Sequence, residues 1–161
     1  MLRKVMAAAA ALLVSTSLAP LSTVAAADFS PAVVFDMGGK FDKSFNEGVY
    51  NGVEQFKKET GIEYREFEVT NETQREQALR RMAQRGADPI IGIGFAQAPA
   101  LEKVAKEFPD IRFAIIDEVV DLPNVRSIVF KEHEGSFLVG MIAALKSGSG
   151  KVGFIGGMDI P

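Results

Sequence analysis

The sequence predicts an α/β fold: a Rossmann-like, mostly parallel sheet flanked by helices. Two observations carry this. Short β-branched, apolar runs, such as PAVVFD at 31–36 and PIIGIG at 89–94, alternate with stretches whose apolar residues recur at helical spacing. Glycines or prolines stand at the junctions, at Gly38-Gly39, Gly61, Gly86 and Pro109, where one element must stop and the chain must turn. Alternating strands and amphipathic helices bury a parallel sheet between helical layers, which defines the class.

Each element has its own warrant. Residues 31–36 read as a buried strand, followed by a helix over 43–59 in which Phe45, Val49, Val53 and Phe56 share a face and Gly61 ends it. Residues 62–69 form a more polar strand, expected at a sheet edge. Asn71 and Gln74 resemble a capping box opening a helix that buries Ala78, Leu79, Met82 and Ala83, with Gly86 at its end. After the strand at 89–94, Pro99 marks a helix start, Leu101, Val104, Ala105 and Phe108 form its stripe, and Pro109 stops it. Strands follow at 111–117 and 124–130. A helix over 134–146 is expected to bury Phe137, Leu138, Met141, Ile142 and Leu145, and 151–155 reads as a sixth strand. The connection between the fourth and fifth strands is short for a parallel crossover, which usually needs a dozen residues or more.

Residues 1–27 read as an export signal: Arg3 and Lys4, an apolar stretch from Val5 to Val14, then Ala25-Ala26-Ala27 as a cleavage site with Asp28 as the first mature residue. The strongly apolar part is shorter than the roughly 20 residues that span a bilayer. What remains suits one domain of roughly 100–150 residues. The 161-residue chain is 47% hydrophobic and 24% charged, which argues against intrinsic disorder. Its net charge of −3 becomes more negative once Arg3 and Lys4 leave with the signal, a poor match to nucleic acid or anionic membrane. No cysteine and a single histidine, His133, remove disulfides, thiolate nucleophiles, multi-histidine metal sites and a lipidated N-terminal cysteine. No metal and no cofactor is expected.

Enzyme and cofactor motifs fail on spacing. Gly38-Gly39-Lys40 and Gly150-Lys151 lack the remainder of a phosphate loop, and Gln97 stands where a dinucleotide fingerprint starting at Gly92 needs glycine. In open parallel sheets, ligands lie at the carboxyl ends of the strands. There the sequence places Asp36, then Gly94 and Phe95, then Asp117, while the loop after the first strand brings Phe41, Asp42, Phe45 and Asn46. Carboxylates, an amide and aromatic rings around one crevice suit a flat, hydrogen-bonding molecule. A structural reading stands beside each: Asp42 as a helix cap, Phe45 as the first core residue of its helix, Asp36 and Asp117 as loop anchors, Phe41 and Phe95 as loop packing.

At these residues the sequence resembles the BMP (basic membrane protein, purine-nucleoside-receptor-like) family of ABC-importer substrate-binding proteins. The resemblance is carried by FDMGG at 35–39 with DKSFNEG at 42–48, GIGF at 92–95, FAIID at 113–117, EGSFLVG at 134–140 and GFIGGM at 153–158. It implies a type I periplasmic-binding fold whose two lobes close on a solute, in many members a purine nucleoside. It also implies that Phe45 stacks on the base, Asn46 and Asp117 bind its edge, and Asp36 lines the pocket toward the ribose; Gly94 and Phe95, at the end of the third strand, are candidate ligand-binding residues by position. A membrane permease would be the partner, strands four and five would be parallel, and no bond in the ligand would change.

Two departures from the family pattern matter. Many relatives are lipoproteins, whereas this chain has no cysteine, so a free periplasmic protein is expected. The sequence also reads as a first lobe over 28–155 with the hinge to a second lobe beginning at 156–161, so that the piece alone holds half a site, binds weakly and tends to associate. The competing readings are a sensor that docks on a chemoreceptor or kinase, a sugar-type ligand on the same fold, and an exported hydrolase. A transcription regulator of related architecture would need a DNA-binding helix pair where the export signal stands.

Overall fold

In the computed structural model, which describes residues 29–156, five four-residue strands lie side by side: β1 (Ala32–Phe35), β2 (Arg65–Glu68), β3 (Ile90–Ile93), β4 (Phe113–Ile116) and β5 (Val125–Ile128). The expected export signal at 1–27 and the end of the chain at 157–161 lie outside the described residues. All neighbours are parallel, in the order β2-β1-β3-β4-β5. The helices are α1 (Phe45–Thr60), α2 (Gln74–Gln84), α3 (Ala98–Glu107) and α4 (Glu132–Lys146), with a 3-10 turn at Phe95–Gln97 before α3. The expected α/β fold with a parallel sheet and helical layers is the one found, and the polar strand β2 is indeed at an edge.

Strand alternation sorts the core onto two faces. Ala32, Val34, Ile90, Phe113 and Ile115 point to the side where α2 and α3 bury Leu79, Met82, Leu101 and Val104. Gly92 lies on this side because an added Cβ would come within 2.9 Å of the Leu101 side chain, so α3 packs directly on β3. Val33, Phe35 and Ile93 point to the other side, where α1 lies over them through Val49, Tyr50 and Val53, with Tyr64 beside it. Farther along that side, Ile116 is half-buried and its β5 neighbour Ile128 is exposed.

The β4–β5 pairing is parallel despite its short connection. A four-residue strand is only about 13 Å long, and an extended chain covers about 3.3 Å per residue, so 117–124 can return without a helix. Val120 is buried beneath the return, and its amide donates to Ser127 Oγ at 3.0 Å.

Three local expectations are corrected. The capping box at Asn71 and Gln74 does not form: α2 begins at Gln74 itself, too early for that side chain to act at the third helical position. Instead Gln74 Oε1 accepts from the Thr70 amide at 2.9 Å, and Asn71 Oδ1 accepts from Thr73 Oγ at 2.6 Å. The helix expected over 134–146 exists as α4, but none of its residues is buried: Phe137, Leu138, Met141 and Ile142 are exposed and Leu145 is 80% exposed. Residues 151–155 form no strand, because no neighbouring strand among the described residues satisfies their backbone. α4 is nonpolar on every side from Phe137 to Leu145, the pattern of a helix buried all round, yet it joins neither core.

Candidate functional site

The chain leaves β1 toward β2 on one side and returns to β3 on the other, so the crevice between the carboxyl ends of β1 and β3 is a topological switch point. Asp36 follows β1 and Gly94 follows β3. Gly94 has a positive φ of 96°, and a Cβ there would stand 3.2 Å from Asp36 Oδ2 and 3.7 Å from the Phe45 ring. Glycine therefore lets the Asp36 carboxylate and the Phe45 ring meet over the backbone of residue 94. Phe45, 38% exposed at the start of α1, is not a core residue.

The loop leading to Phe45 is tied down by Asp42. Its carboxylate accepts from the amides of Ser44 (2.8 Å), Asn46 (3.0 Å) and Glu47 (3.1 Å), so the capping reading of Asp42 holds. Burial opposes ionisation of Asp42, but these three backbone donors outweigh it and hold the carboxyl below its ordinary value. Lys40 fastens the same loop to β2: its amide donates to Glu68 at 3.0 Å and its ammonium pairs with Glu66. Phe41 is exposed and packs edge-on against Tyr50, as loop packing.

Asn46 is only 3% exposed. Its Nδ2 makes one long bond to the Asp36 carbonyl, 3.4 Å, and its Oδ1 accepts nothing from the described residues. A buried carbonyl without a donor is unfavourable by roughly 1–3 kcal/mol unless something supplies one. Phe95 begins the 3-10 turn and is partly exposed.

Asp117, after β4, lies in left-handed backbone (φ 73°), and its amide closes the β4–β5 ladder on the Ile128 carbonyl at 2.8 Å. With Phe45, Val49, Ile116, Phe130 and Glu132 it lines an open, mainly apolar cavity of about 410 Å³. Burial, and then the neighbouring Glu132 carboxyl, raise the Asp117 carboxyl above its ordinary value. The structure thus gathers Asp36, Gly94 and Phe45 at one point, ties Asn46 to the Asp36 carbonyl, and has Asp117 line the same cavity as Phe45. A separate polar hollow of about 250 Å³ over β2 is lined by Lys40, Tyr50, Glu54 and Tyr64. Its groups are largely satisfied by one another, as in the 2.7 Å bond from the Tyr64 hydroxyl to Glu54.

Four residues escape sequence reasoning as contributors. Arg75, in the first turn of α2, places Nε 3.0 Å from Asp36 Oδ1. The signal was present: a cation at a helix N-terminus opposes the helix dipole and needs a nearby anion. Gln97, fully buried, donates to the carbonyls of Val34 (2.8 Å) and Ile93 (3.2 Å) and so ties the ends of β1 and β3 together, with its Oε1 left unpartnered. Glu132 and Phe130 enter the cavity from the β5–α4 junction. No group of acids and histidine suited to a metal occurs among the described residues. The arrangement offers one aromatic face, two carboxylates and an amide, which is recognition chemistry.

Comparison with known proteins agrees with this fold. An archaeal relative from Pyrococcus furiosus, described as an uncharacterized lipoprotein, is 37% identical over 136 residues, covering 81% of this chain and 34% of its own. The ABC transporter nucleoside-binding protein BmpA of Lactococcus lactis is 33% identical over 137 residues, covering 82% of this chain and 39% of the relative. The chain therefore spans well under half the length of these relatives. A crystal structure of an ABC transporter solute-binding protein from Aeropyrum pernix superposes with a TM-score of 0.68 at 34% identity, over 72% of this chain and 32% of that one. The profile of the family described as ABC transporter substrate-binding protein PnrA-like matches residues 29–161, everything from the described start of the fold to the last residue. By this match over most of its length, the chain belongs to the PnrA-like family of ABC transporter substrate-binding proteins.

Proposed function

We propose that this chain is the first lobe of an exported solute-binding protein that delivers a purine nucleoside, or a similarly flat polar solute, to an ABC permease. One observation carries the reading: the exposed Phe45 ring lies beside the Asp36 carboxylate over Gly94 and lines one open cavity with Asp117, while the buried Asn46 amide, its Oδ1 unpartnered, lies next to Asp36. A base stacked on Phe45 would present donors to Asn46 Oδ1 and Asp117, with sugar hydroxyls toward Asp36 and the chain turning at Gly94-Phe95. The naming of the Lactococcus relative for nucleoside binding supports the same class. No step breaks a bond, which fits a family named for substrate binding.

The lobe, on this reading, ends with β5, and residues 129–131 carry the chain to a second lobe. The support is the exposure of α4: a helix apolar on all sides belongs in a core that the five-stranded sheet does not provide. The first lobe would then be shorter than the 28–155 expected from the sequence, with α4 opening the second. Export rests on the signal at 1–27. With no cysteine to acylate, we read the protein as free in the periplasm, although the Pyrococcus relative is called a lipoprotein.

The test is thermal unfolding of the full-length protein against purine and pyrimidine nucleosides, free bases, sugars and amino acids. At a hundredfold excess over its dissociation constant, a ligand adds about 2.7 kcal/mol to stability, a shift of several degrees. A shift with nucleosides alone is the expected result. A shift with sugars or amino acids alone overturns the ligand class. Tight nucleoside binding by the monomeric 161-residue chain would overturn the two-lobed site.

A further inference from the structure

We propose that Arg75 is a positioning residue of the solute site, holding one oxygen of Asp36 so that the other faces the crevice to accept from a ligand hydroxyl. This rests on the nucleoside-type reading above and adds to it a residue that orients the carboxylate. Asp36 Oδ1 is taken by Arg75 Nε at 3.0 Å. Oδ2 lies 3.2 Å from the point where Gly94 would carry a Cβ, and the Phe45 ring is 3.7 Å from the same point. Among the described residues nothing donates a hydrogen bond to Oδ2. The side chains of Arg75 and Asp36 are 11% and 18% exposed, so the pair is shielded enough to keep one geometry while its free edge stays reachable.

Two features argue against a merely structural salt bridge. Arg75 stands in the first turn of α2, where its charge opposes the helix dipole, and an acid at that position would stabilise the helix better. The carboxylate it grips also sits at the switch point beside a glycine whose missing Cβ clears the other oxygen. A pair serving only to join α2 to β1 has no use for that clearance. Because an Arg–carboxylate contact is directional, fixing Oδ1 fixes the plane of the carboxylate and thus the aim of Oδ2.

The experiment uses the full-length protein and calorimetric titration with a purine ribonucleoside and its 2′,3′-dideoxy analogue. Arg75→Gln should weaken ribonucleoside binding tenfold or more and change binding of the dideoxy analogue less than twofold. Arg75→Lys, which keeps a charge in reach and guards against a folding defect in the first variant, should recover most of the loss. In an Asp36→Asn background, Arg75→Gln should add nothing. Equal weakening toward both ligands, or a ribonucleoside affinity unchanged by Arg75→Gln, overturns the inference while leaving the nucleoside reading in place. A wild-type protein that binds neither ligand overturns both.

Discussion

The two faces of the sheet are built from the same strands yet differ in how completely they are closed. On one, α2 and α3 lie side by side over β1, β3 and β4, and Leu79, Ile90, Leu101, Val104 and Ile115 are fully buried. On the other, α1 is the one helix among the described residues that covers β1 and β3, its one buried residue is Asn46, and the surface over β4 and β5 opens into the cavity that holds Phe45 and Asp117. The closed face holds the fold, and the looser face is where we place the proposed recognition chemistry. A packed core has no room for an exposed aromatic ring or an open cavity, whereas a ligand needs both.

Core truncation should show the contrast most strongly. Leu101→Ala on the closed face should destabilise the 161-residue chain by about 2–5 kcal/mol in denaturant unfolding, since it leaves a cavity between α3 and β3. Ile116→Ala, half-buried on the open face, should cost about 1 kcal/mol, because less area leaves water there. Equal losses would erase the distinction between the faces.

Asp117 sharpens it by pH. Its carboxyl is raised in the fold, so the folded chain holds that proton more tightly than the unfolded chain. Stability linked to Asp117 is therefore present at low pH and is lost as pH rises from the ordinary aspartate range through the raised value. Asp117→Asn should raise Tm at neutral pH, and the advantage should vanish below the ordinary aspartate range. Asparagine accepts left-handed backbone, so the substitution adds little strain at φ 73°. A Tm lowered at neutral pH would mean that the ionised carboxylate holds the loop.

The smallest effect belongs to α4. Leu138→Ser with Leu145→Ser should alter unfolding of the 161-residue chain by less than about 0.5 kcal/mol, as for surface positions, and should reduce self-association in sedimentation. A loss above about 2 kcal/mol would show that α4 packs on the sheet.

Much of this was legible in the residues. Apolar period and turn chemistry are local properties, so the strands at PAVVF and PIIGI, the stripes of α2 and α3, the polar edge strand and the capping role of Asp42 follow from short windows of sequence. The placement of Asp36, Gly94 and Asp117 at strand ends follows as well, because in a parallel sheet every carboxyl end lies at the same edge. Other features needed the tertiary structure because they join distant residues. Arg75 meets Asp36 across α2 and β1, Gln97 reaches Val34, and β5 returns parallel through a connection that short strands make long enough. α4 shows the limit from the other side. Its sequence demands burial all round, and periodicity alone cannot say against what; only the assembled sheet, already covered by α2 and α3 on one face, shows that the described residues leave α4 without a core.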